Sequence, residues 1–91
     1  MGAVAEQLER KLTVAFAPAR LTVDDDSARH AVHAGARRGG ESHFNVVIEA
    51  AAFEGVSRVQ RQRMVYAALA EELAGPVHAL SVKALAPGEA G

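Results

Sequence analysis

The chain contains no cysteine. Disulfides, thiolate nucleophiles and all-cysteine metal sites are thereby excluded, and any soft metal bound here needs histidine from this chain and sulfur from a partner. Tryptophan is also absent, and the aromatics are limited to one tyrosine and three phenylalanines. Phe16, Phe44, Phe53 and Tyr66 all stand at positions better suited to a core than to stacking on bases. No window approaches 18 consecutive apolar residues, so a membrane-spanning helix is not expected. An excess of one charge sign is lacking too: ten Lys and Arg against eleven Asp and Glu leave a formal net charge of −1. A global basic field of the kind that drives non-specific nucleic-acid binding is therefore excluded, and any such binding needs a local patch. The N-terminal MGAVAEQLERKL carries early acidic residues and no apolar core of a signal peptide, which predicts a cytoplasmic protein.

What remains is 91 residues, 49% hydrophobic and 23% charged, in the range of one small globular domain. Twenty of those residues are alanine, so the core must be small. We read residues 1–91 as a single domain with its core over about 4–84 and a flexible tail over 85–91, where Pro87 and two glycines fall.

Val4, Leu8, Leu12 and Phe16 recur at four-residue spacing and predict an amphipathic helix that Pro18 closes. Leu21 and Val23 flank Thr22 ahead of three aspartates, as in a short strand entering a turn. Residues 27–41 show no sustained period and hold three glycines, which predicts a long connection. Phe44, Val46 and Ile48 then share one strand face, so the two strands form a hairpin. Ser57 is a candidate N-cap for a helix ending at Gly75-Pro76. Arg58, Arg61 and Arg63 crowd its first turns, against the helix dipole, and a bend early in the helix would ease that conflict. From His78, alternation with Leu80, Val82 and Ala84 predicts a third strand. The order is αββααβ, an α+β sandwich with helices packed on one face of a three-stranded sheet.

Three constellations carry possible chemistry. His30, His33, His43 and His78 offer neutral imidazoles, ordinary ligands for zinc or iron, and a long loop can bring one to a metal held elsewhere. The same His-x-x-His spacing is also what solvated loop histidines look like. Arg58, Arg61 and Arg63, with Arg37 and Arg38, could meet phosphates; the bland reading is a solvated basic face, and the GxxG loop of a KH module is missing. Glu41-Ser42-His43 is not a hydrolase set, because neighbours on a strand point to opposite faces and do not converge. No catalytic arrangement is left, and the chain is expected not to be an enzyme.

Taken together, G-E-S-H-F at 40–44, F-E-G-V-S-R-V-Q-R-Q-R-M-V-Y at 53–66, L-A-E-E-L at 69–73 and V-H-A-L-S-V at 77–82 resemble the BolA family. F-A-P-A-R-L at 16–21 and A-P-G-E at 86–89 extend the resemblance over nearly the whole chain. It implies a fold related to the class II KH topology. It also implies a partner, a monothiol glutaredoxin, with which a [2Fe–2S] cluster is shared. Glutaredoxin and glutathione would supply thiolates and this chain histidine. Carried onto this sequence, the resemblance makes His78 one ligand and His30 the loop ligand, with His33 the alternative, while His43 is scaffold. Imidazole in place of thiolate raises a cluster's potential and makes ligation pH-dependent. A second implication is a DNA-binding transcriptional regulator of stress, morphology and biofilm formation, working through the arginine-rich helix start. Alone, the chain is expected to be a monomer or weak homodimer. Gln62 departs from the family, which usually has histidine between those arginines.

Overall fold

The structure is a computed structural model describing residues 2–25 and 43–89. The first helix, α1, spans Ala3–Phe16, and its four-residue apolar spacing does what it predicts: Leu8 and Leu12 are fully buried and Val4 and Phe16 pack at the margin. It ends in Ala17, whose φ of 45° is left-handed and whose N–H still reaches the carbonyl of Thr13. A Cβ is strained there, while glycine is not. Ala17→Gly is expected to raise stability by about 0.5 kcal/mol, the relief of strain exceeding the added freedom of the unfolded chain. Urea denaturation measures this, and a midpoint shifted downward contradicts it.

Strand β1, Arg20–Asp25, pairs antiparallel with β2, His43–Glu49, in a register that sets Arg20 opposite Glu49 and Asp25 opposite Phe44. This is the expected hairpin. After a 3-10 turn at Ala51–Phe53, Ser57 caps α2, Arg58–Ala68, by accepting the N–H of Gln60. A break at Leu69 leads into the short α3, Ala70–Ala74. The bend therefore lies after the arginines, not among them. The dipole conflict is eased another way, because Arg61 turns inward to a carboxylate.

Strand β3, Ala79–Leu85, lies parallel to β2 and at the sheet's edge, giving the order β1-β2-β3. Parallel neighbours need a crossover, and α2 and α3 supply it. Phe44, Val46 and Ile48 point into one core with Leu8, Leu12, Phe53, Val65, Leu69 and Val77. Phe53 meets Phe16 with ring centroids 5.1 Å apart. Tyr66, expected in the core, is instead exposed and donates its hydroxyl to the carbonyl of Leu80. Among the described residues, no helix is long and apolar enough to cross a membrane.

The predicted flexible tail needs correcting over 85–89. Leu85 belongs to β3, and both it and Ala86 are buried. Pro87 and Gly88 make a turn that returns the Glu89 carboxylate to the N–H of Ala86 and to Arg61. Proline and glycine here shape a clasp.

Candidate functional site

The parallel pairing of β2 and β3 brings their first residues to the same end of the sheet. His43 opens β2, and its register partner is Ala79, the residue after His78. The two imidazoles therefore lie side by side, with ring centroids 6.4 Å apart and planes 15° from parallel. His43 is half-buried and His78 is exposed.

The backbone beneath His78 is held on both sides. Val77 is buried and donates its N–H to the carbonyl of Glu72 at 2.9 Å, while Ala79 is already in the sheet. An exposed imidazole thus projects from a fixed point. His78 itself stands just before β3 instead of inside it, so strand alternation does not set its direction. Among the described residues, no three ligand-type side chains converge as a metal site. The loop candidates His30 and His33 lie outside the described residues, as do Arg37 and Arg38.

The arginine group divides. Arg61 is only 7% exposed. Its guanidinium donates to both Glu89 oxygens, at 2.6 and 3.0 Å, and to the carbonyls of Val56 and Ala84. As a phosphate contact Arg61 is therefore corrected: it is buried, and four of its five N–H donors are committed within the chain. Arg58 and Arg63 are exposed. The Glu89 carboxyl is lowered from the usual 4.5 to about 2, first by the Arg61 hydrogen bonds and then by the Ala86 N–H.

Gln62, the departure from the resembled pattern, has a definite task. Alternate carbonyls of an edge strand face outward and invite another strand. On β3 they are taken by α2: Tyr66 donates to Leu80, Gln62 to Val82 at 2.6 Å, and Arg61 to Ala84. The edge is closed by helix side chains, and an amide suffices where an imidazole was expected. A groove of about 870 Å³ follows this edge, with Arg58 and Lys83 among its lining residues.

Lys11 joins α1 to α3 through Glu71 and Glu72, each at 2.8 Å. Hydrogen bonds to both glutamates raise the Lys11 ammonium and lower the Glu71 carboxyl. This contact is structural, and the Glu72 it holds also accepts the Val77 N–H, at its backbone carbonyl, beside His78.

A family model described as BolA-like protein matches residues 12–89. BolA-like protein 1 from Homo sapiens is 44% identical over 89 residues, which are 98% of this chain and 62% of that protein. The "DNA-binding transcriptional regulator BolA" of Escherichia coli (strain K12) is 47% identical over 79 residues, covering 87% of this chain and 71% of that one. The BolA domain of SufE1 from Arabidopsis thaliana superposes with a TM-score of 0.87 at 38% identity, covering 99% of each chain. The chain spans 61–64% of the length of the mammalian BolA-like protein 1 relatives that it matches.

Proposed function

The chain belongs to the BolA-like protein family, and from that premise we propose that it is a non-enzymatic partner of a monothiol glutaredoxin, lending histidine to a shared [2Fe–2S] cluster. The observation that carries this reading is His78: an exposed imidazole on a backbone anchored at Val77 and Ala79. Such a group fits as one ligand at the edge of a partner's site. The absence of cysteine fits too, because this chain has no thiolate to compete with the partner's sulfur. His30, with His33 as the alternative, is proposed as the second imidazole on the strength of the family resemblance.

When bound, the cluster supplies one-electron redox chemistry and a transferable iron–sulfur unit. This chain's residues present an exposed imidazole, hold its backbone still and leave it open to a second protein. Mixing the chain with cluster-loaded glutaredoxin and glutathione is expected to change the visible circular dichroism of the cluster. A spectrum equal to that of the glutaredoxin alone counts against the proposal.

A second reading draws on the exposed Arg58 and Arg63 and on the name of the Escherichia coli relative. If these two arginines each met one phosphate, log K for duplex DNA would fall with log salt at a slope of about −1.8. A titration at several salt concentrations checks this. No binding at low salt removes the DNA reading.

A further inference from the structure

The proposed function uses one of the two imidazoles at the start of β2 and β3. His43 is left without a role beyond the fold, although its ring lies 6.4 Å from that of His78 and within 15° of parallel. The family resemblance assigns it to scaffold. Its placement says more.

The two histidines differ in freedom. His43 is the first residue of the central strand, paired with Ala79 of β3 one position before the Phe44–Asp25 pair with β1, and is half-buried. His78 is exposed and precedes its strand. An exposed histidine samples several staggered χ1 settings and a broad χ2. Only a few of these aim a ring nitrogen at an iron held by another protein. A flat neighbouring ring at offset-stacking distance restricts the plane of the freer one.

We propose that His43 is a positioning residue for His78: its ring is a platform that holds the His78 imidazole in the plane from which a nitrogen reaches the partner's cluster. This rests on the reading of His78 as a ligand. His43 needs only its flat ring for the task, not a metal bond. Residues that orient metal-ligating histidines typically change affinity by about 10- to 100-fold when removed. The lower end applies here, since stacking constrains less than a hydrogen bond.

The test uses the full chain with His43→Ala, His43→Leu and His43→Phe, each checked by far-ultraviolet circular dichroism. In the protein alone, the His78 ring resonances are expected to move in the Ala and Leu variants and to keep a stacked-ring shift in the Phe variant. With cluster-loaded monothiol glutaredoxin and glutathione, Ala and Leu are expected to raise the half-saturating concentration about tenfold. Phe should hold it within about twofold of the parent.

Two outcomes overturn the proposal. If Phe weakens uptake as much as Ala and Leu, a nitrogen of His43 is required and the platform is wrong. If Ala and Leu bind like the parent, or leave the His78 resonances unmoved, the stacking does not position the ligand. Failure of the parent chain to alter the cluster is a separate result. It removes the ligand role of His78 and the purpose of the platform with it, whatever the resonances of the protein alone show.

Discussion

Replacing His78 with alanine is expected to abolish the cluster-bridged complex with glutaredoxin while leaving the fold in place. The side chain is exposed, and its backbone is held by neighbours that the substitution does not touch: the Val77 N–H on the Glu72 carbonyl and the first pairing of β3. Loss of an exposed side chain away from caps and core normally changes stability by no more than about 0.5 kcal/mol. Loss of a metal ligand removes a bond, and water is a poor substitute at an iron–sulfur centre. His78→Cys is the informative companion. It should keep a bridging cluster but lower its potential, because thiolate replaces imidazole. The visible spectrum and a redox titration measure both effects. Unchanged spectra in His78→Ala refute the assignment.

The second large effect concerns the clasp between Arg61 and Glu89. Arg61→Met is expected to lower the urea midpoint more than the same substitution at the exposed Arg58 or Arg63. It leaves the Glu89 carboxylate without its two guanidinium donors, at 2.6 and 3.0 Å, and removes a donor from the carbonyls of Val56 and Ala84. The buried member of the pair is Arg61; Glu89 is 43% exposed and can turn to water. The cost of Arg61→Met therefore lies in the buried carbonyl acceptors and the lost packing, while it is Glu89→Gln that leaves a buried charge without its partner.

The pH dependence carries the sign of a lowered carboxyl. Glu89 titrates at about 2 in the fold against 4.5 ordinarily. Its contribution is therefore full above about pH 4.5 and is lost as pH falls toward 2. The difference in urea midpoint between the parent and Glu89→Gln should be widest near neutrality and close at pH 2. A difference that stays constant over that range contradicts the clasp. Hydrogen exchange at the Ala86 N–H, which the same carboxylate accepts, should quicken in both variants.

The elements legible in the sequence were those with a strong local period. Four-residue spacing marks α1, and alternation at Phe44, Val46 and Ile48 identifies the buried face of β2. Ser57 marks the start of α2 because capping is a local event. The tail was misread because Pro87 and Gly88 serve a turn as well as they serve a frayed end. What decides between the two is Arg61, 28 residues away from Glu89. The inward turn of Arg61 is hidden for the same reason, and among the described residues Arg58 and Arg63 remain as the exposed members of the arginine group.

The candidate site was half visible. V-H-A-L points to His78 through the family resemblance, but the pairing of His43 with it depends on strand order and direction. A signal was nonetheless present. A helical crossover between β2 and β3 favours parallel strands, parallel neighbours start at the same end, and each of these strands begins at or beside a histidine. His43 and His78 are 35 positions apart in sequence, so only the topology reveals their proximity. Gln62 shows the converse case. Its departure from the family histidine does not disturb the edge of β3, because the task there is to donate one hydrogen bond to Val82.

The most direct test of the central claim is pulsed electron paramagnetic resonance on the reduced cluster in the mixed complex, with 15N-labelled histidine in this chain alone. Strongly coupled nitrogen that changes on labelling and disappears in His78→Ala is the predicted result. A cluster that shows only sulfur coordination, with no nitrogen coupling from this chain, contradicts it.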